Sequence, residues 1–179
     1  MKATGIVRRI DDLGRVVIPK EIRRTMRIRE GDPLEIYTTR EGEVIFKKYS
    51  LIGGLEDFAA QFCDVLNRSS GFTAAVTDRD AIIAITGSGK RELLGKPLSD
   101  ALAQVMEQRG IYQYQGSGRP LPVSDSSDRY TVAVAAPILC EGDVLGLVLF
   151  LSSDAQVPGE GEYKLAQTVS AFLGRHMET

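Results

Sequence analysis

The chain has few residues of the kinds that build metal sites, redox centres or membrane spans. Its 179 residues include two cysteines, Cys63 and Cys140, and one histidine, His176. The cysteines lie far apart and lack the spacing of a metal site or a redox motif, so we expect free thiols and no bound metal. The longest apolar run, residues 144–151, is too short to span a bilayer, and the opening Met-Lys-Ala-Thr is unlike a signal peptide. These absences predict a cytoplasmic protein without a membrane partner.

The chain as a whole also lacks a strong excess of either positive or negative charge. Its net charge is −2 and its pI is about 5.5, which by itself argues weakly against a nucleic-acid partner. The distribution is uneven, however. Residues 1–50 hold 12 Lys and Arg against 8 Asp and Glu, a net charge of +4, whereas residues 51–179 hold 10 against 16, a net charge of −6. The asymmetry predicts two domains with different partners, 1–50 and 51–179.

The most informative segment is 11–24, in which a turn, a strand and a basic helix follow one another directly. Gly14 permits a turn that a residue with a Cβ would resist. A β-branched run follows at 16–18, and Pro19 suits the first position of a helix because its missing N–H costs nothing there. Asp11 and Asp12 precede the glycine, where aspartate commonly hydrogen-bonds its own backbone, so we interpret them as turn residues and not as a catalytic carboxylate pair.

The first domain is predicted to be a small β domain. The expected elements are strands at 3–10, 15–18, 34–39 and 44–48, a helix at 20–26, and a hairpin turn at 40–42. Fifty residues of this kind bury too little surface to be stable alone. We therefore expect a dimer in which strands of two chains interleave.

Several stretches of this domain closely resemble the AbrB transition-state regulators. They are Thr-Gly-Ile-Val-Arg-Arg at 4–9, Asp-Asp-Leu-Gly-Arg-Val-Val-Ile-Pro at 11–19, Ile-Arg-Arg-Thr at 22–25 and Leu-Glu-Ile-Tyr at 34–37. The resemblance implies a swapped-hairpin, looped-hinge dimer that binds double-stranded DNA with arginines from both chains on one face. The positions that coincide with the family's DNA-contacting arginines are Arg8, Arg15, Arg23 and Arg24, with Lys2, Arg9 and Lys20 as further phosphate contacts.

Arginine suits this task because its planar fork can bridge phosphate oxygens or bind guanine O6 and N7. A compact domain with few other base-reading side chains should depend on phosphate contacts and DNA shape, so we expect modest sequence specificity and a steep salt dependence. Adjacent strand residues face opposite sides, and we favour Arg8 over Arg9 for the DNA face, with Arg9 pairing with a nearby carboxylate. For Arg27, Arg29 and Arg40 we favour solvated surface charges.

The second domain alternates helical and strand patterns. The predicted elements are a helix through 55–66, a hairpin of 74–78 and 81–86, a helix at 97–109, a hairpin of 130–139 and 144–152, and a helix at 162–177. This order, with Ala-Ala-Pro-Ile-Leu at 135–139 and Val-Leu-Gly-Leu-Val-Leu-Phe at 144–150, resembles GAF domains. The resemblance implies an antiparallel sheet flanked by helices.

The GAF resemblance also implies a pocket for a small-molecule effector beneath the loops at 87–91 and 113–129, although the sequence identifies no effector and no cofactor. The Gly-Ser-Gly-Lys at 87–90 lacks the spacing of a phosphate loop, so we interpret it as a flexible loop. The segment 113–128, rich in Gly, Ser, Pro and Asp, fits either a lid or a mobile connection.

Two helices of this domain carry apolar stripes at the spacing of a helix–helix seam. The stripe residues are Leu55, Phe58, Phe62, Leu165, Val169 and Phe172. One interpretation is that they cover the domain's own sheet. The other is that they tie two AbrB-type dimers into a homotetramer, in which His176 is an interface residue.

We therefore predict an α+β protein that is not an enzyme: a sequence-specific, nucleoid-associated transcriptional regulator, both activator and repressor, of spore development. Its second domain would serve oligomerisation and effector sensing. One alternative is an antitoxin, but such chains usually continue into a disordered tail, and this one continues into a domain patterned for a core. The other is a GAF-type methionine sulfoxide reductase, for which Cys140 lacks a nearby resolving cysteine.

Overall fold

The computed structural model describes residues 5–49 and 55–178. The chain divides into two compact units, Met1–Tyr49 and Ser50–Thr179. Within residues 5–49 the N-terminal unit contains one helix, α1 (Lys20–Thr25), and one antiparallel hairpin, β1 (Leu34–Thr38) with β2 (Val44–Lys48). These three elements match the predicted helix and the two later strands to within one residue.

The strands predicted at 3–10 and 15–18 are wrong for the single chain. The described residues of both segments lie outside any strand, and the first two residues of the earlier segment, 3 and 4, are outside the described range. A β-strand requires a hydrogen-bonded neighbour, and among residues 5–49 the hairpin of β1 and β2 pairs only with itself. The β-branched run at 16–18 therefore has no partner strand among the described residues.

The N-terminal unit also has almost no interior. Among residues 5–49, Pro19 alone is buried. Val7 is 90 % exposed, and other large apolar side chains of the segments flanking the turn are exposed with it: Ile6, Ile10, Leu13, Val16 and Val17. A fold this open cannot draw its stability from its own apolar contacts.

The C-terminal unit is built on a six-stranded antiparallel sheet. Its strands are β3 (Thr73–Thr77), β4 (Ile82–Thr86), β5 (Tyr112–Gln113), β6 (Pro122–Ser124), β7 (Ser127–Cys140) and β8 (Asp143–Ser152). The order across the sheet is β4-β3-β8-β7-β5, and β6 also pairs with β7. The long hairpin of β7 and β8 forms the centre, and it agrees closely with the hairpin predicted at 130–139 and 144–152.

Four helices accompany this sheet: α2 (Glu56–Ser70), α3 (Lys90–Leu93), α4 (Asp100–Gln108) and α5 (Glu160–His176). Because successive strand residues point to opposite faces, the core forms two clusters. Val148 and Phe150 face α2 and α5, while Leu147 and Leu149 face α3 and α4. The sheet is therefore covered on both faces, as the GAF resemblance implied.

Two glycines allow unusually close backbone contacts in this unit. A Cβ on Gly146 of β8 would collide with the carbonyl oxygen of Thr77, and a Cβ on Gly174 of α5 would collide with that of Leu139 in β7. Glycine at these positions lets β8 and α5 lie directly against neighbouring main chain.

The loops over the second face are more ordered than predicted. Lys90 begins the short helix α3, so the flexible-loop interpretation of 87–90 is wrong at its end. The segment 113–128 contains the end of β5 and all of β6. The helix predicted at 97–109 begins only at Asp100, where the Ser99 side chain accepts a hydrogen bond of 3.2 Å from the Leu102 N–H.

Candidate nucleic-acid interface

The turn before α1 is organised by one carboxylate, that of Asp11. Its Oδ1 accepts hydrogen bonds from the backbone N–H groups of Leu13, at 3.0 Å, and Arg15, at 2.7 Å. The Asp11 N–H donates to the Arg15 carbonyl, and the Gly14 N–H donates to the Asp11 carbonyl, both at 3.0 Å. Gly14 has a φ of 77°, the left-handed region that favours glycine. The predicted turn role of Asp11 is confirmed.

The same carboxylate orients Arg15. The Nε of Arg15 donates to Asp11 Oδ2 at 2.8 Å, so the outer nitrogens of the guanidinium remain available to a ligand. The backbone and side-chain hydrogen bonds from Arg15 hold the pKa of Asp11 below its usual range. The carboxylate therefore stays charged at neutral pH and keeps Arg15 in one orientation.

Helix α1 carries three of the predicted DNA contacts. Lys20, Arg23 and Arg24 are all exposed and are spaced by three and four residues, which groups them on one side of a helix. Pro19 precedes the helix, and its carbonyl accepts from the Arg23 N–H at 2.9 Å. The turn and the helix thus present a basic surface within ten residues of chain.

A second carboxylate, Asp32, connects α1 to the hairpin. It accepts a hydrogen bond of 2.8 Å from the Arg29 N–H, and Lys48 Nζ lies 3.8 Å from it. Lys48 Nζ also donates to the Arg27 carbonyl at 2.8 Å. Sequence analysis missed this role of Asp32 and Lys48, because nothing in the local pattern relates two residues so far apart.

The remaining predicted contacts are placed less closely. Arg8 and Arg9 are exposed and lie before the turn, outside any strand, so the opposite orientation expected for strand neighbours is not formed in the single chain. Lys2 lies outside the described residues. The structure therefore groups Lys20, Arg23 and Arg24 on α1. Arg15 lies in the turn before that helix, where Asp11 fixes its orientation.

The predicted helix seam of the C-terminal unit divides in two. Phe58, Phe62, Phe172 and His176 form a cluster on α2 and α5, here called the aromatic patch, with ring centroids 5.0–6.2 Å apart. Phe172 is 48 % exposed. Val169 is buried in the unit's own core, and Leu55, Leu165, Phe58 and Phe62 are partly buried and pack against that core. The stripe therefore covers the sheet and also leaves aromatic surface exposed.

Both cysteines are free, as predicted. Burial raises the pKa of Cys63 to about 12, so this thiol stays protonated. Partial burial, with the nearby carboxylates of Glu141, Glu178 and Asp143, also raises the pKa of Cys140. A nucleophilic thiolate is disfavoured at both positions.

The structure holds neither a metal-binding cluster nor a membrane-crossing helix within 5–49 and 55–178. No group of three or more His, Cys, Asp or Glu side chains is arranged to hold a metal ion there, and no helix in that part of the chain is long and apolar enough to cross a membrane. The sheet face beneath the loops at 87–91 and 113–129, where an effector was expected, is filled by a packed cluster that includes Tyr130, Leu147 and Val123.

Two family models match the chain. One, described as Stage V sporulation protein T C-terminal, transcription factor, matches residues 54–178, and the other, described as Antidote-toxin recognition MazE, bacterial antitoxin, matches residues 7–51. Stage V sporulation protein T of Bacillus subtilis is 50 % identical over 181 aligned residues, which cover 99 % of both chains. Transition state regulatory protein AbrB of the same organism is 63 % identical over 49 residues, 27 % of this chain and 50 % of AbrB.

Solved structures match each unit separately. The N-terminal DNA recognition domain of Bacillus subtilis AbrB is 63 % identical and covers 27 % of this chain and 91 % of its own, with a TM-score of 0.24. The GAF domain of a phosphoenolpyruvate-protein phosphotransferase from Coxiella burnetii is 15 % identical and covers 68 % of this chain and 80 % of its own, with a TM-score of 0.53. The latter likeness concerns the fold alone.

The chain is thus an α+β protein that joins an AbrB-type DNA-binding domain to a GAF-like domain. The first family model covers most of the chain, and the relative of the same name aligns along almost its whole length. The chain belongs to the Stage V sporulation protein T family of transcription factors.

Proposed function

We propose that this protein activates and represses genes of spore development at the nucleoid, and that it binds double-stranded DNA as a dimer of its N-terminal units. The observation that carries the proposal is that a single N-terminal unit exposes both its apolar side chains and its arginines. The family membership supports the biological setting, and the physical reasons for the mode of binding lie in this unit.

The exposed apolar residues support a dimer. Val7, Ile10 and Val17 flank the Asp11 turn in segments that pair with no strand of the described residues. A second copy could supply the missing ladder hydrogen bonds and cover these side chains, each of which contributes about 1.5–3 kcal/mol when fully buried. Exchange of the turn and its flanking segments between two chains is a swapped-hairpin arrangement, and it satisfies both needs at once.

The basic residues support contact with DNA in that dimer. Arg15 and Arg23 would contact the duplex from each chain, with Arg8 and Arg24 extending the same surface and Lys2, Arg9 and Lys20 adding phosphate contacts. Each neutralised phosphate releases condensed counterions, which is the main source of affinity for a small basic surface. The binding should therefore be steeply salt-dependent.

The aromatic patch supports a second level of assembly through the C-terminal unit. Phe58, Phe62 and Phe172 are side by side on α2 and α5, with one edge open to solvent. We propose that two copies of the patch pack together and join two dimers into a tetramer. Sedimentation equilibrium of the full chain tests this: Phe172→Glu should leave dimers, and a wild type that is strictly dimeric would remove the idea.

The MazE match favours one competing function, that of an antitoxin. The matched residues 7–51 cover only the N-terminal unit, whereas toxin binding by such proteins usually needs a disordered tail. In this chain a packed sheet and helices follow instead. Copurification with a stoichiometric toxin, released on degradation of this chain, would restore the antitoxin interpretation.

Gene replacement tests the regulatory function directly. Expression of this chain in Bacillus subtilis that lacks its own Stage V sporulation protein T should restore the yield of mature spores. The variant with Arg15→Ala and Arg23→Ala should fail, while Arg40→Ala, which removes an exposed arginine from the hairpin turn, should restore as well as wild type. Restoration by the double variant at equal protein level would contradict the proposal.

A further inference from the structure

An open groove lies between α5 and the end of β7 in the C-terminal unit. It has a volume of about 630 Å³, within the range of small-molecule sites. Its apolar lining comes from Ile111, Pro137, Leu139 and Ala171. The groove lies on the α5 side of the sheet and is thus distinct from the face beneath the loops at 87–91 and 113–129.

The groove exists because β5 is short. Tyr112 and Gln113 pair with Ala135 and Val134, β6 pairs with the opposite end of β7, and among the described residues no strand pairs with this edge from Ala136 to Cys140. The backbone of Pro137 lacks an N–H, so this edge is a poor template for an added strand. The shape therefore favours a compact ligand over an extended peptide.

Two exposed arginines, Arg109 and Arg175, border the groove. Neither Arg109 nor Arg175 makes a side-chain hydrogen bond or ion pair with residues 5–49 or 55–178. Of the unit's other arginines, Arg68 and Arg129 pair with carboxylates, whereas Arg91 and Arg119 also make no side-chain hydrogen bond or ion pair with the described residues. What distinguishes Arg109 and Arg175 is that both border one groove with an apolar lining, and this arrangement in a domain of net charge −6 favours an anionic ligand.

The backbone at Arg109 adds a second observation. Arg109 ends α4 with a φ of 55°, a left-handed conformation that glycine usually provides at a helix end. A residue with a Cβ is strained there, and such strain is often retained where the side chain has a function. Glycine, which adopts this conformation without strain, is the next residue, Gly110, and not the residue at position 109 itself.

We propose that this groove binds a small amphipathic carboxylate. The carboxylate would be held between the guanidinium groups of Arg109 and Arg175, with its apolar part on Pro137 and Leu139. Glu178 also lines the groove, and its charge repels a dianion such as phosphate more strongly than a monoanion. One carboxylate and an apolar tail therefore match the lining better than a phosphate.

Isothermal titration calorimetry on the full chain, without DNA, tests the site with octanoate as probe. Octanoate should bind saturably, acetate should bind more weakly because it lacks the tail, and octylammonium should not bind. Arg109→Gln or Arg175→Gln should each weaken octanoate binding by about tenfold, the loss expected for one charged hydrogen-bonded contact. Arg119→Gln, an exposed arginine of the same unit, serves as the matched control and should change nothing.

Three results would overturn the proposal. They are an octanoate dissociation constant weaker than about 10 mM for the wild type, equal binding by the variant that lacks both arginines, and loss of binding in Phe172→Ala with no loss in the arginine variants. The last would place the probe on the aromatic patch. Because DNA is not involved, failure here would leave the proposed DNA-binding function untouched.

Discussion

The two units of this chain use apolar side chains in opposite ways. In the C-terminal unit, alternate strand residues are buried on both faces of one sheet, whereas in residues 5–49 only Pro19 is buried. Both units contain β-branched strand sequences, so residue type alone does not produce the difference. What differs is the number of strands available to pair with. The C-terminal unit forms a six-stranded sheet within one chain, whereas the described residues of the N-terminal unit form a single two-stranded hairpin.

The sharpest way to test this contrast is to remove a core side chain from the self-sufficient unit. Phe150 is fully buried and packs edge-on against Phe72, with ring centroids 6.0 Å apart. Phe150→Ala should lower the unfolding free energy of the C-terminal unit by about 3–5 kcal/mol. Urea denaturation should show the same loss at every protein concentration. Leu94→Ala, at an exposed position, is the control. If the loss of unfolding free energy in Phe150→Ala varied with protein concentration, the C-terminal unit would not fold independently of other copies.

The second prediction concerns the unit that lacks a core. Val7 is 90 % exposed in one chain, so a polar substitution there should change stability little if the unit acts alone. If a second copy covers it, Val7→Asp places a charge in the interface and should weaken dimerisation about a hundredfold or more. Analytical ultracentrifugation of the full chain over a dilution series measures this. An unchanged association constant would show that Val7 stays exposed.

Replacement of a single arginine should have a smaller effect, confined to DNA binding. Arg23→Ala should weaken binding to specific and non-specific duplexes alike, and should flatten the plot of log affinity against log salt by about one unit per lost phosphate contact in each chain. Fluorescence anisotropy at several salt concentrations tests this, with Arg40→Ala as the control. The same slope in both variants would exclude Arg23 from the phosphate contacts.

The smallest effect is expected at Asp11. Asp11→Asn removes the charged partner of the Arg15 Nε and should weaken DNA binding by less than about tenfold. In an Arg15→Ala background the same substitution should have no further effect on affinity, because Asp11 acts through Arg15. An equal loss in both backgrounds would mean that Asp11 acts on DNA binding in another way.

The pH dependence of this turn follows from the depressed pKa of Asp11. A carboxylate whose pKa is lowered by folding contributes stability above its unfolded pKa, and that stability is lost as pH falls through the folded pKa. Arg15 should therefore keep its orientation throughout the neutral pH range and lose it only in acid, where Asp11 becomes protonated. Nuclear magnetic resonance of the Arg15 Nε–H during an acid titration would show the transition, which Asp11→Asn should lack.

Helices, strands and turns could be predicted from the sequence where the residue pattern that marks them lies within the element itself. The β7–β8 hairpin has long apolar runs on either side of Glu141 and Gly142, and the Asp11 turn has an aspartate three residues before a glycine. The short elements α3, β5 and β6 could not be predicted, because two to four residues are too few to show a period. The strands predicted at 5–10 and 15–18 are not formed in the single chain, because no described strand pairs with them.

The sites followed the same rule. Lys20, Arg23 and Arg24 are close in sequence, so their place on one helix could be predicted, while their contact with DNA stays a prediction. Arg109 and Arg175 are separated by 66 positions and line the same groove only because the end of α4, the end of β7 and α5 all contribute to it. No periodic pattern relates them, so the groove was not predicted. The packed cluster beneath the loops was not predicted either, because its residues come from strands and helices that are distant in sequence.

The contact of Gly174 with the Leu139 carbonyl has a genetic consequence. In a screen for loss of regulation, Gly174→Ala should be recovered among the defective alleles although it removes no charge and no hydrogen-bonding group. The added methyl would displace α5, which carries both Arg175 and Phe172, so one allele would disturb two surfaces that separate alleles disturb singly. Suppressors would have to lie in the backbone path of β7, since no side chain can be shortened to make room for it.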